Sequence, residues 1–185
     1  MQTTIGKTVF ELVEGDISIQ AVDAIVNAAH WDLAGGQGTD GIIHFRGGPA
    51  IMAECRKIGG CPIGGAVMTT GGNLPARFVI HTVGPVYETG DAYEQDLLAQ
   101  AYQSSLRLAA SRGLHSIAFP SLSTGAFVYP LPRAAPVAVQ AFIEFLQNEA
   151  HTLALVRLVL FAEEQPEAYG IYADALRQYL ATRAV

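Results

Sequence analysis

Asn27, His30 and Asp40 are polar residues that could act together. Asn27 and His30 come shortly before a glycine-rich segment that follows an apolar run, and Asp40 lies within that segment. The segment, residues 35–41 (GGQGTDG), contains no Lys or Arg. Glycine lets backbone N–H groups converge, and the N-terminus of a following helix adds positive charge, so the segment could bind a phosphate. Asp40 would repel that phosphate and cost affinity. A carboxylate at this position is explained if ribose hydroxyls or an attacking water require it. The pattern predicts an anion site with an acid beside it.

Two other interpretations of this segment stay open. Asp40 could be a helix N-cap or a first-turn acid, which would stabilise a helix by about 1 kcal/mol. Residues 36–41 (GQGTDG) also match the G-x-G-x-x-G fingerprint of a dinucleotide-binding Rossmann domain. The first glycine lies several residues beyond the apolar run, however, instead of at its end. The match to the fingerprint is thus weak, and an NAD-dependent enzyme is kept only as an alternative.

A second loop, residues 120–130 (PSLSTGAFVYP), follows another apolar run and combines hydroxyl groups, a glycine and an aromatic ring. In open α/β sheets, ligands bind beyond the carboxyl ends of the strands, so both loops could hold one ligand. Asp16 ends a third run, where its carboxylate could accept a hydrogen bond from an exocyclic amine such as that of adenine. Taken alone, Asp16 is only a turn residue. Phe161 could stack on a base or be a core residue.

Composition restricts the class of protein. The chain has 185 residues, of which 50% are apolar, and we expect a single domain over residues 1–185. A net charge of −6 and the lack of any basic run exclude a general nucleic-acid binder. The start shows no signal peptide and no apolar stretch could span a bilayer, so we expect a cytoplasmic location without membrane contact. The two cysteines are expected to be reduced thiols.

Short apolar runs alternate with helical patterns, which is typical of an α/β sheet with crossover helices. The predicted strands are residues 8–13, 24–29, 66–68, 78–83, 117–119 and 155–161. The predicted helices are residues 40–57, 94–112, 132–148 and 166–182. The histidine at position 81 falls inside a buried strand, where a hydrogen-bonded structural role is expected.

The order of several motifs resembles the macrodomain, a module that binds ADP-ribose, in its MacroD-type hydrolase branch. The motifs are GDI at 15–17, NAA at 27–29, GGQGTDG at 35–41, HTVGP at 81–85 and STGAFVYP at 123–130. The resemblance covers nearly the whole chain. It implies a three-layer α/β/α sandwich around a mixed, mostly parallel six-stranded sheet, with ADP-ribose lying between the two loops.

The resemblance also implies a set of ligand-binding residues. Asp16 would contact the adenine amino group, with the Ile17 backbone beside it and Phe161 near the ring. The remaining contacts follow the two loops. The first phosphate loop would contain Gly36, Gly38 and Gly41, and the second would contain Ser123, Thr124, Gly125 and Ala126, with Phe127 packing on the distal ribose.

The implied activity is hydrolysis of an ester of ADP-ribose. Asn27 and Asp40 would be the polar residues at the distal ribose, and Asp40 would orient or activate a water that attacks the ester carbon. The substrates would be ADP-ribosylated proteins, with the ester on an acidic side chain, or O-acetyl-ADP-ribose. This chemistry requires neither a metal nor another cofactor.

His30 departs from the family, which usually has asparagine at this position. An imidazole could disable the ribose contact, which would leave a non-catalytic reader of ADP-ribose, or it could supply a second base. A third possibility is that His30 turns to solvent or pairs with a backbone carbonyl and contributes nothing. His44 lies one helical turn after Asp40, which is explained as local helix support.

Overall fold

The computed structural model describes residues 1–183; residues 184 and 185, which end the predicted single domain, lie outside this range. Seven strands form one sheet in the order β1-β2-β7-β6-β3-β5-β4. The strands are β1 (Gln2–Ile5), β2 (Thr8–Glu14), β3 (Ala24–Ala28), β4 (Ala66–Thr70), β5 (Phe78–Thr82), β6 (Ser116–Phe119) and β7 (Leu155–Leu160).

The helices lie between strands and after the last strand of the chain. A short 3₁₀ helix, Ile17–Ile19, follows β2. The α-helices are α1 (Gly38–Gly47), α2 (Pro49–Ile58), α3 (Ala92–Ser111), α4 (Leu131–Asn148) and α5 (Ala168–Arg183). No helix within residues 1–183 is long and apolar enough to cross a membrane.

The sheet is mixed and mostly parallel, as predicted, but it has seven strands instead of six. The five inner strands pair in parallel, and the outer strands β1 and β4 pair antiparallel with β2 and β5. The prediction missed β1 because this edge strand, Gln-Thr-Thr-Ile, has little apolar pattern. The strand order also differs from the order 3-2-1-4-5-6 of a Rossmann domain, so that alternative is wrong.

Alternation along the buried strands creates two cores. In β3, Ala24 and Val26 belong to the core beneath α3, α4 and α5, whereas Ile25 belongs to the core beneath α1 and α2. Successive strand residues point to opposite faces, so one strand supplies both layers. The predicted three-layer α/β/α sandwich is therefore confirmed.

The predicted helix over residues 40–57 is two helices, because the chain bends at Gly48. Gly48 has a φ of 80°, a conformation that favours glycine, and Pro49 begins α2 at a position where its missing N–H is not needed. The predicted helix from residue 166 begins only at Ala168, so Pro166 precedes the first turn instead of lying in it.

The start of β3 is fixed by the carboxylate of Asp23. Its Oδ2 accepts the backbone N–H groups of His115 at 2.7 Å and Ser116 at 3.1 Å, and its Oδ1 accepts a 3.4 Å bond from Arg77. Burial raises the pKa of Asp23, but the bonds from the two amides and from Arg77 outweigh it and hold the pKa below its ordinary value. Asp23 therefore joins β3 to β6 at the end opposite the cleft loops.

Replacing Asp23 by alanine leaves two backbone N–H groups without their acceptor. We expect Asp23→Ala to lower the free energy of unfolding by about 2 kcal/mol in urea titrations. Asp174→Ala is the matched control, because the Asp174–Arg177 ion pair is exposed; its effect should stay below about 0.5 kcal/mol. Equal effects of the two substitutions would contradict the anchoring role.

Candidate active site

A cleft of about 350 Å³ lies at the carboxyl ends of β2, β3, β6 and β7. Its walls come from the segments that follow these four parallel strands. Six of the residues predicted to bind the ligand line the cleft: Asp16, Ile17, Gly38, Thr124, Gly125 and Phe161. The topology of the sheet thus brings together loops that are more than a hundred residues apart in the chain.

Asp16 is held in a fixed orientation at one end of the cleft. It caps the 3₁₀ helix, and its Oδ1 accepts bonds from the N–H of Ser18 at 2.8 Å and the Ser18 hydroxyl at 2.6 Å. Its Oδ2 forms an ion pair with Nη1 of Arg46 at 3.0 Å. A carboxylate oxygen can accept more than one hydrogen bond, so Asp16 retains capacity for a donor in the cleft.

Arg46 is a cleft residue that the sequence analysis missed. It lies near the end of α1, lines the cleft, and also donates to the Ser18 hydroxyl at 3.0 Å. Arg46 lies four residues after Ile42, which also lines the cleft, so the two residues share one face of α1. The partner of Arg46, Asp16, is distant in sequence, so the pairing itself was not readable from spacing.

Phe161 follows β7 directly and is 43% exposed. It lines the cleft, so the alternative of a core phenylalanine is wrong. Ile17, by contrast, is buried, with 6% of its surface exposed. The exposed ring leaves an aromatic face available to a flat apolar group near the Asp16 carboxylate.

The two glycine loops present backbone donors. Gln37 precedes α1 at the N-cap position and makes no side-chain capping bond, so the first N–H groups of this helix remain available to an anion. In the second loop, hydrogen bonds of 2.9 Å from Val128 to Gly125 and from Tyr129 to Ser123 fold the backbone into a tight turn. Ser123 and Val128 adopt φ values of 65° and 51°, which is strained for residues other than glycine.

The remaining predicted loop residues shape these turns without lining the cleft. Ala126 is exposed and Phe127 is half-buried, with its carbonyl accepting the N–H of Tyr87 at 2.9 Å. Gly41 lies in α1, where an added Cβ would approach the Gly36 carbonyl to 2.7 Å. A side chain at position 41 would therefore displace the first loop.

Asp40 is the third residue of α1 and is 6% exposed. Its Oδ1 accepts a 2.7 Å hydrogen bond from Nδ2 of Asn27 and lies 3.3 Å from Nε2 of His44. A Cβ added at Gly36 would lie 3.1 Å from Oδ2, so the absence of a side chain at Gly36 keeps the space beside this oxygen open. Asp40 is thus a first-turn acid that also stands next to the cleft residues Gly38 and Thr39.

Asn27 lies beneath Asp40 and is fully buried in β3. Its Nδ2 donates to Asp40 and lies 3.0 Å from Nδ1 of His81, while its Oδ1 has no partner among residues 1–183. The structure therefore brings Asn27 and Asp40 together, as the resemblance implies. It places Asn27 behind the carboxylate and not on the cleft wall.

His81 is buried in β5 and hydrogen-bonded at both ring nitrogens, which confirms the expected structural role. Nε2 lies 2.9 Å from Oγ1 of Thr69, and Nδ1 faces Asn27. Burial lowers the pKa of His81 to about 4, and the nearby His44 adds to this, although Asp40 opposes it. The ring is therefore neutral near pH 7.

His44, Cys55 and His81 place three potential metal-ligating atoms within 4.8 Å of one another. A metal requires a deprotonated thiol and a free histidine lone pair. Burial, followed by the charges of Asp40 and Glu54, raises the pKa of Cys55 to about 11, and Nε2 of His81 already bonds to Thr69. The cluster does not fit a metal ion.

His30 does not join the Asn27–Asp40 pair. Its Nδ1 lies 2.9 Å from Oδ1 of Asp32, whose carboxylate also accepts the N–H of Ala34 at 3.1 Å. The imidazole is half exposed and contacts the Trp31 ring at 5.5 Å between centroids. The structure favours the third possibility, in which His30 lies outside the site, but its partner is the carboxylate of Asp32 and not a backbone carbonyl.

The buried His81 makes stability depend on pH in a defined window. The unfolded chain binds a proton at His81 below about pH 6.5, whereas the folded chain does so only near pH 4. Stability is therefore complete above pH 6.5 and falls as the pH drops towards 4, by up to about 3 kcal/mol. We expect His81→Gln to remove this part of the slope in urea titrations, whereas the exposed-residue variant His115→Gln keeps it. An unchanged slope in His81→Gln would contradict the assignment.

Comparisons with known proteins confirm the resemblance. Residues 26–138 match the family model of the Macro domain. A Macro domain-containing protein from Cupriavidus necator is 49% identical over 170 residues, covering 90% of this chain and 96% of that protein. A protein from Citrobacter koseri named O-acetyl-ADP-ribose deacetylase is 46% identical over 176 residues, covering 93% of this chain and 97% of that protein.

The fold agrees with the same family. A solved structure of an Oceanobacillus iheyensis macrodomain mutant with ADPR superposes with a TM-score of 0.91 at 38% identity, and the match covers 98% of both chains. This chain belongs to the Macro domain family.

Proposed function

We propose that this protein binds ADP-ribose in the cleft and hydrolyses esters of ADP-ribose, with O-acetyl-ADP-ribose as one substrate. Relatives that match over nearly their whole length carry the name O-acetyl-ADP-ribose deacetylase. ADP-ribose esters on Asp or Glu side chains of proteins contain the same kind of bond, an acyl group on a ribose hydroxyl. They are the second proposed substrate class.

Each part of ADP-ribose has a chemical counterpart along the cleft. The adenine amino group would donate to Asp16, whose orientation is fixed by Ser18 and Arg46, and the ring would lie near Phe161. The diphosphate would accept bonds from the uncapped start of α1 and from the turn that contains Gly125. The distal ribose would then extend towards Asp40.

The observation that carries the hydrolase proposal is the arrangement of the Asp40 carboxylate. Oδ1 accepts the hydrogen bond of Asn27 and lies 3.3 Å from Nε2 of His44, whereas Oδ2 accepts no hydrogen bond from residues 1–183. A fixed carboxylate with one free oxygen can orient a water and take its proton as the water attacks the ester carbon. The bond from that carbon to the ribose oxygen breaks, the ribose oxygen takes a proton, and the products are ADP-ribose and a carboxylic acid.

The direct test is turnover of O-acetyl-ADP-ribose, measured as acetate release. We expect Asp40→Ala to lower kcat by about a hundredfold or more, because it removes the group that handles the proton. The dissociation constant of ADP-ribose should change by less than about threefold in calorimetry, since the backbone amides and not the carboxylate hold the diphosphate. Equal losses in kcat and in binding would contradict this separation of roles.

His30 allows the hydrolase and the reader to be distinguished. Because His30 pairs with Asp32 and leaves Asp40 free, we expect turnover in the wild type and a change of less than about threefold in kcat for His30→Asn. Asp32→Asn serves as the matched control, because it weakens the same pair without changing position 30. A wild type that binds ADP-ribose without turnover, combined with turnover in His30→Asn, would identify the reader instead.

A further inference from the structure

A row of polar side chains crosses the sheet beneath Asp40. Asn27 in β3 is the direct register partner of His81 in β5, and His81 in turn pairs with Val67 in β4. Thr69 lies two residues beyond Val67 and therefore points to the same face. All three polar residues are buried, with exposed fractions of 2% or less. The row runs from the edge strand to the carboxylate of the proposed active site.

The protons in this row can be assigned from both ends. The Thr69 hydroxyl donates to the carbonyl of Thr70 at 3.0 Å, so towards His81 it can only accept. Nε2 of His81, at 2.9 Å, must then carry the proton, which leaves Nδ1 with a lone pair. At the other end, an ionised Asp40 requires a donor, which is Nδ2 of Asn27 at 2.7 Å. The second hydrogen of the same NH₂ group points to Nδ1 of His81 at 3.0 Å. Both ends require the same tautomer.

We propose that Thr69 and His81 are positioning residues for Asp40, because together they fix which side of the Asn27 amide faces the carboxylate. The inference rests on the proposed function, since it treats Asp40 as the reacting group. With Nε2–H directed at Thr69, the amide cannot rotate without placing its carbonyl oxygen against both Nδ1 of His81 and the carboxylate. Neither contact is favourable between two acceptors.

The low pKa of His81, which burial lowers to about 4, is consistent with this arrangement. The groups that face the ring from the packed elements are Asn27, His44, Cys55 and Thr69, with the Asp40 charge nearby. A neutral ring with its proton on Nε2 keeps a lone pair at Nδ1 throughout the range where an ester hydrolase would work. A protonated ring would present N–H groups on both sides and reverse the orientation of the amide.

Thr69→Val tests the proposal because valine has nearly the same shape and cannot accept a bond from Nε2–H. Without that acceptor, the Nδ1–H tautomer becomes favourable, the Asn27 amide turns, and its carbonyl faces Asp40. We expect kcat for O-acetyl-ADP-ribose to fall about ten- to a hundredfold, with the dissociation constant of ADP-ribose changed by less than about threefold. Thr69→Ser keeps the hydroxyl, so its kcat should stay near the wild-type value.

Two controls separate positioning from a general structural effect. Thr70→Val introduces the same side chain one residue along β4 without touching His81 and should leave kcat unchanged. The second control is the tautomer itself, read from the ¹⁵N chemical shifts of His81 in the folded wild type, Thr69→Ser and Thr69→Val. We expect Nε2–H in the first two proteins and loss of that state in Thr69→Val.

Each outcome decides one proposal. An Nδ1–H tautomer in the wild type, or a wild-type kcat in a folded Thr69→Val, overturns the positioning role. If Thr69→Val does not fold, the test uses the wild type and Thr69→Ser. An Nε2–H signal of His81 in both proteins, with an active Thr69→Ser, supports the role, and the absence of that signal overturns it. Lack of turnover in the wild type overturns the proposed hydrolase alone, because the nitrogen shifts still report the tautomer.

Discussion

The carboxylate of Asp40 is almost completely buried, and a buried carboxylate is stable only where protein hydrogen bonds replace its water. Asn27 donates such a bond to Oδ1 at 2.7 Å, and Nε2 of His44 lies 3.3 Å from the same oxygen. Asn27 belongs to the inner strand β3, and His44 belongs to the helix that carries Asp40. The acid is therefore fixed by the core of the domain, and the cleft loops are arranged around it.

This arrangement depends on the alternation of β3. Ala24 and Val26 complete one apolar core, and Ile25 belongs to the other. Asn27 follows Ile25 by two residues and therefore faces α1, the helix that carries Asp40. A shift of one residue in the pairing of β3 would turn Asn27 away and bury an amide among the residues beneath α3 and α4. The packing of the apolar residues thus also determines the orientation of the polar one.

Much of this could be predicted from the sequence. Apolar periodicity indicated an α/β sheet covered by helices, and the resemblance to the macrodomain implied the three layers, the two loops and the proximity of Asn27 and Asp40, because the motifs that carry the resemblance are short and contiguous. Two pairings could not be predicted: the Arg46–Asp16 ion pair depends on how α1 packs against the segment after β2, and the Thr69–His81 bond depends on the register between β4 and β5. The pairing of His30 with Asp32 involves neighbours in sequence, but it competes with other orientations that spacing alone does not distinguish.

The proposed binding of a diphosphate by this acidic chain has a physical explanation in the backbone. Arg46 is the basic side chain among the described residues that line the cleft, and its charge is already paired with Asp16. The positive potential for a diphosphate must therefore come from the N-terminus of α1 and from the turn around Gly125. Backbone donors have fixed positions and act only at short range, so they select for the geometry of a ligand more than for its charge. A chain with a net charge of −6 can in this way bind one diphosphate of the right shape while its surface repels polyanions in general.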